Sequence, residues 1–412
     1  MVSIADRVAV SPLAGSVQAI APATVLTPAV SVPATDRELR IDLFRGLALW
    51  LIFIDHLSPD LLTWLTIRNY GFSDAAEIFI FISGYTAAFV YGRTMRESGL
   101  LVGTARILRR VWQIYVAHVF IVIIFLGEIS YAVTSTENPF FSQEMRVVDF
   151  ITHPGVVLLQ TLLLRFRPLN IDVLPLYVVL MFFLPVVLWL MKWRADVTLA
   201  LSVLLYALTS HYDWYLSAYP DGYWAFNPFA WQMLFVFGAW CALGGGLRLS
   251  GILASPITLW ISVGYLLAAF FVTLTWSFPQ LNVLPHRLEQ WMYPIDKTDL
   301  DVLRFAHFLA LAAITMRFVP KGWPGLTSPW LRPLILCGQH SLEIFCFGVF
   351  LAFAGYFVLI ETSGHFGLHL LVAILGILIM TAAAWVNTWY KHVDSKTPLQ
   401  VGHRHADIVG GD

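Results

Sequence analysis

The chain has 412 residues, of which 58% are hydrophobic and 12% charged, against roughly 45–50% and about 25% in an ordinary soluble domain. Mean hydropathy is +0.72, and a soluble fold has too little interior to hide that much apolar side chain, so a water-soluble enzyme is excluded and the surplus must face lipid. A formal net charge of −1 speaks against a nucleic-acid partner, which wants a basic surface.

Residues 1–35 are rich in Ala, Val, Pro, Ser and Thr, with Pro12, Pro22, Pro28 and Pro33 interrupting any helix. A basic stretch leading into an unbroken apolar core is not seen there, so this segment reads as a disordered cytoplasmic tail rather than a cleaved signal. From residue 36 to 393 apolar runs alternate with short polar connections, and 394–412 reads as a second cytoplasmic tail. Spans are expected near 41–66, 74–93, 106–134, 155–192, 196–211, 228–248, 255–278, 300–318, 334–361 and 367–391. The fourth is broken around Arg165 to Asp172, which suggests an interfacial helix ahead of the true span. The expected fold is therefore all-α, a polytopic membrane protein of about ten helices. Cys241, Cys337 and Cys346 lie inside apolar runs, so a disulfide framework is not expected.

Orientation follows from Arg and Lys in the short loops. Arg93, Arg96, Arg106, Arg109 and Arg110 crowd one side, while Asp213, Asp221, Glu289, Asp296 and several Trp and Tyr residues collect on the other. The first side reads as cytoplasmic, and an even number of spans puts both termini there. Positive-inside bias explains much of the arginine cluster. Its other reading is a site for a polyanion, since guanidinium forks match phosphate oxygens. Coenzyme A, with its phosphates and long thin arm, fits such a site.

Charge in hydrocarbon costs several kcal/mol unless paired, so each intramembrane ionisable residue is a functional candidate. The first span carries Asp42, Arg45, Asp55 and His56. At 100° per residue, Arg45 and His56 fall within about 20° of each other and Asp42 within about 40° of His56, while Asp55 lies about 80° or more from Arg45. Eleven residues rise about 16 Å, which puts His56 near the bilayer centre, with Asp42 and Arg45 at the cytoplasmic rim. A neutral imidazole there can take a proton from a hydroxyl as a general base; the plainer reading is a histidine that hydrogen-bonds between helices.

Other spans add polar groups. The eighth brings Lys297, Asp301, Arg304 and His307; the second brings Glu77, Ser83 and Tyr85; the ninth brings His340 and Ser341; the sixth begins with Asn227 and Gln232. For Glu77, Asn227 and Gln232, capping or interhelical hydrogen bonding competes with substrate contact, and for His307 an ion-paired helix face does. The outer aromatic residues, Trp291 among them, form either a headgroup belt or a platform for sugar rings. A Walker loop, a Rossmann glycine pattern, HExxH and a nucleophile elbow are not present, and no metal site is expected.

The segment RELRIDLFRGLALWLIFIDH at 37–56 resembles the first-helix signature of membrane acyltransferases, D-x-x-R-G followed by a helix-embedded His. More narrowly, FIFISGYTAAFVYG at 79–92, NPFAWQMLFVFG at 227–238, DKTDLDVLRFAHFLALA at 296–312 and CGQHSLEIFCFG at 337–348 resemble the OpgC family, succinyltransferases of osmoregulated periplasmic glucans. The resemblance spans about 36–391. It implies ten spans with cytoplasmic termini in a bacterial inner membrane, and acyl transfer from succinyl-CoA, a co-substrate rather than a bound cofactor, to a glucan hydroxyl. His56 matches the family's catalytic histidine, and Asp42 and Arg45 match the motif before it.

The expected activity is thus trans-bilayer O-acyl transfer. Arg93, Arg106, Arg109 and Arg110, with Arg45, His340 and Ser341, would hold the CoA phosphates. Glu77, Asn227, Gln232, Trp291, Lys297, Asp301 and Arg304 would meet the glucan, and Ser83, Tyr85 or His307 would stabilise the oxyanion. The rival reading is a proton-coupled transporter or flippase of a sugar or acylated glycan; a homo-oligomer is left open.

Overall fold

The computed structural model describes residues 38–57, 62–135, 147–166, 168, 171–282, 284–362 and 365–396. The expected tail at 1–35 lies outside them, as does the second tail from 397 onward. The described residues form helices joined by turns, with isolated bridges at Phe166–Tyr219 and Ser217–Tyr223 in place of any regular strand. Seven helices among them are long and apolar enough to cross a membrane.

The first helix, α1 (Leu39–Leu57), is shorter than the expected 41–66. Pro59 disfavours helical continuation through the residue before it, and the chain instead makes tight turns at Leu62–Leu65 and Ile67–Asn69. Helix α2 (Ala75–Ser98) starts on a capping box: Asp74 accepts from the Ala76 N–H, and Glu77 reaches back to the Asp74 N–H at 2.9 Å. After α3 (Leu100–Ser135) come the short α4 (Val147–Thr152) and α5 (Pro154–Leu162).

Helix α6 (Val173–Tyr212) has 40 residues, about 60 Å if straight, twice a hydrocarbon core of about 30 Å. It is not straight. Arg194 is non-helical (φ −150°, ψ 85°), and both halves return to one place. Asp172, at its start, lines a cavity with Lys297, and the Tyr206 hydroxyl, near its end, donates to the Leu300 carbonyl at 3.0 Å. The chain therefore doubles back at Arg194, which is where the sequence separates 155–192 from 196–211.

Asn227 caps α7 (Pro228–Trp240), which passes through a π-turn at Cys241–Gly245 into α8 (Gly246–Ala254). Then follow α9 (Pro256–Ser277), α10 (His286–Met292), α11 (Val302–Phe318), α12 (Arg332–Gln339), α13 (Ser341–Glu361) and α14 (Phe366–Lys396).

Two pairs of helices touch backbone to backbone. A Cβ on Gly46 of α1 would collide with the Leu334 carbonyl of α12, and one on Gly338 of α12 with the Asp42 carbonyl. Gly84 of α2 and Gly238 of α7 meet Phe235 and Phe81 in the same reciprocal way. Small residues substitute here for hydrophobic force, which lipid removes, and they seat α1 directly against α12 and α2 against α7.

Candidate functional site

Two cavities open along the same five helices, with no lining residue in common. One, of about 210 Å³, is lined by Arg45 of α1, Ser83 and Thr86 of α2, Arg110 of α3, Tyr177 of α6 and Ser341 of α13. The other, of about 470 Å³, takes Asp55 and His56 from α1, Asp74 from the cap of α2, Phe125 from α3, Asp172 from the cap of α6 and Tyr356 from α13, with Arg68, Phe226 and Lys297 from the loops.

In the Arg45 cavity the guanidinium is fixed from two sides. It donates to the Thr86 hydroxyl, which itself donates to the Ile82 carbonyl. It also stands 4.0 Å from the Asp42 carboxylate one turn earlier on α1. Asp42 and Arg45 are both buried, so D-x-x-R places a compensated cation at a cavity wall. Of the five arginines at 93–110, Arg110 lines this cavity, while Arg106 and Arg109 are exposed and Arg93 pairs with Glu97 at 2.7 Å on the surface.

His56 lies in the last turn of α1, at the far end from Asp42, rather than midway along a longer helix. Its Nδ1 is buried with no hydrogen-bond partner among the described residues. Beside it, Asp55 accepts from the Thr66 hydroxyl at 2.6 Å. Lys297 donates to Asp74 at 2.6 Å and sits 5.1 Å above the Phe226 ring. Arg304 braces this arrangement from behind, donating to Glu77 at 2.9 Å and to Asp74 at 3.3 Å. Two cations thus converge on the Asp74 carboxylate, which anchors Lys297 at the cavity wall.

The remaining candidates lie outside both linings. The His307 imidazole meets the Ser73 hydroxyl at 2.7 Å and packs against Gly71, pinning the turn that leads into α2. His340 interrupts the path from α12 to α13 and faces α14, 2.9 Å from Thr388 and 3.2 Å from Lys391. Asn227 spends its amide on the Trp214 carbonyl and Asp299, both at 2.8 Å, while its oxygen caps α7. Gln232 exchanges two bonds with Ser202 of α6, at 2.6 and 2.8 Å. Asp301 caps α11. Tyr85 is half-buried beside the Gly238 contact. Trp291 is 74% exposed on α10.

The cavities also contain residues that helical periodicity does not single out. Asp55 sits off the Arg45 stripe, yet a cavity at a helix end is broad enough to take two adjacent side chains. Arg68 and Phe226 come from loops, where no periodic signal exists. Asp172 sits at the break in the fourth apolar region, and that break is its one sequence cue.

The described residues thus place a cationic cavity toward one end of a face of α1 and a histidine-bearing cavity toward the other. A family model described as OpgC protein matches residues 37–392, and the chain belongs to that family. Membership points, at the level of the family, to a membrane acyltransferase that modifies glucans. No curated protein and no solved structure matches the chain.

Proposed function

We propose that the protein is a trans-bilayer O-acyltransferase of the bacterial inner membrane, carrying a succinyl group from cytosolic succinyl-CoA to a hydroxyl of a periplasmic glucan. The observation that carries this reading is the placement of Arg45 and His56 in separate cavities along one face of α1. In this reading the chain crosses ten times: α1, α2, α3, the two halves of α6, α7, α9, α11, α13 and α14. Both termini are cytoplasmic, and the Arg45 cavity opens to the cytosol.

Arg45 and Arg110 take the phosphates of the donor, whose thin arm carries the thioester toward His56. The glucan enters the larger cavity, where Phe226 and Tyr356 offer ring faces and Asp55, Asp172 and Lys297 offer hydrogen bonds. His56 accepts the proton of the attacking hydroxyl. The hydroxyl oxygen bonds to the thioester carbonyl carbon, the carbon–sulfur bond breaks, and the proton passes to the departing thiolate. Holding two reactants in attack geometry is worth roughly 7–11 kcal/mol, and a positioned base adds about 10²–10⁴-fold.

Purified protein in detergent, given succinyl-CoA and a glucan oligosaccharide, is expected to yield a product heavier by one succinyl group in the mass spectrum, with free coenzyme A released. An unmodified glucan, or one that moves across a proteoliposome membrane without gaining an ester, would favour the transporter reading instead.

A further inference from the structure

The two cavities are segments of one interrupted groove. On α1 the residues Arg45, Leu49, Ile52 and His56 follow a spacing of four, three and four, which keeps them on one helix face. Arg45 lines the first cavity, Ile52 and His56 line the second, and Leu49 lies between them and is 2% exposed. On α13, Phe345 belongs to the first cavity and Phe353 to the second, with buried Val349 midway. On α2, Phe79 and Ala76 belong to different cavities although they are three residues apart, about 4.5 Å along the axis. On α6 the change falls between neighbours, Val173 and Leu174.

What separates the cavities is therefore thin and apolar. The Phe79 and Phe345 rings, the Arg45-cavity residues nearest to it on α2 and α13, stack with centroids 5.9 Å apart and planes 28° from parallel. Ring stacks and aliphatic side chains carry no hydrogen bonds to break.

We propose that Leu49, Phe79, Phe345 and Val349 form the acyl passage of the reaction. The succinyl end passes between them first, its carboxylate reaching the Lys297 side of the larger cavity, and the uncharged arm that follows lies in the passage with its thioester at His56. The bore these four side chains leave decides which acyl groups pass. This rests on the acyl-transfer reading above and adds to it a specificity-determining constriction, which begins at the inner end of the Arg45 cavity with Phe79 and Phe345 and is distinct from the charged groups that hold either substrate.

The test narrows and widens the passage in the full chain. Leu49→Trp and, from a different helix, Val349→Phe are each expected to cut succinyl transfer by at least about tenfold. Coenzyme A binding, measured by calorimetry, should stay within about twofold of the parent, because neither residue lines the Arg45 cavity. Phe79→Ala with Phe345→Ala is expected to shift preference about tenfold toward a CoA thioester with an aromatic acyl group. Parent-like transfer in a folded narrowing variant would overturn the passage while leaving the acyl-transfer reading intact. Loss of coenzyme A affinity in step with transfer would also overturn it, since the residues would then belong to the donor site. Absence of transfer by the parent chain would remove both.

Discussion

Arg45 and His56 share one face of α1 and line different cavities, eleven residues and about 16 Å apart. The helix is thus a ruler between a cation that suits phosphate and an imidazole that suits proton transfer. Because each residue has its own cavity, substitutions at the two ends should separate binding from chemistry.

His56→Ala removes the imidazole of the proposed base and touches nothing that lines the Arg45 cavity. Transfer should fall by about 10²–10⁴-fold, while coenzyme A binding stays at the parent value. Calorimetry with coenzyme A beside a mass-spectrometric assay of the glucan reads both. Undiminished succinylation would take the base assignment away from His56.

Arg110 lines the Arg45 cavity, whereas Arg106 and Arg109 face outward from the same helix. A charge-assisted hydrogen bond contributes about 1.5–3 kcal/mol. Arg110→Glu should therefore raise the apparent KM for the donor by tenfold or more on that scale, with a smaller effect on the saturated rate. Arg106→Glu should change it little. Equal effects from both would mean that the whole cluster acts through its field rather than through a contact.

The helices were legible because lipid demands long apolar runs, and the break in the fourth run coincides with the start of α6, just as the gap after 192 coincides with the reversal at Arg194. The polar candidates were legible by residue type but not by direction. Asn227, Gln232, Asp301 and Glu77 all sit near helix starts or interfaces, where capping and interhelical bonds compete for the same chemistry. Periodicity cannot tell an amide turned toward a neighbouring helix from one turned toward a ligand. Arg68 and Phe226 show the converse: loop residues reach a cavity through tertiary folding, which leaves no pattern in the chain. His56 is marked by its stripe, yet its depth depends on where α1 stops, at Leu57, a boundary that periodicity does not fix.

Gly46 and Gly338 hold α1 against α12 with no space for a Cβ on either side. Gly46→Ala should force the helices apart and move Asp42 and Arg45 off the cavity wall. Overpacking of this kind costs typically about 1–3 kcal/mol, which should lower the melting temperature in detergent and weaken coenzyme A binding together. Gly251→Ala, where a Cβ meets open space, is the control and should leave both unchanged.

Phe226 is buried at the His56 cavity under Lys297, and Trp291 stands 74% exposed outside it. An aromatic contact contributes roughly 0.5–1.5 kcal/mol beyond area burial. Phe226→Leu should accordingly raise the KM for glucan about two- to tenfold on that scale, and Trp291→Leu should leave it unchanged. The reverse pattern would put the acceptor on the outer aromatic surface instead of in the cavity.

Lys297 and Arg304 both bind Asp74, but their settings differ. The Arg304 side chain is 10% exposed and also carries Glu77, whereas the Lys297 side chain is 43% exposed and reaches the cavity. Arg304→Met would leave the buried Glu77 carboxylate without its cation and Asp74 with Lys297 alone, and breaking a buried pair costs about 3–5 kcal/mol. The variant should therefore melt well below the parent and lose activity through misfolding. In Lys297→Met, Asp74 keeps Arg304 as its partner, so the fold should persist, with the deficit confined to glucan use. Thermal melts paired with glucan and succinyl-CoA titrations distinguish the two. If Lys297→Met lowered the melting temperature as far as Arg304→Met while a small folded fraction kept the parent KM for glucan, Lys297 would be part of the brace and not of the acceptor site.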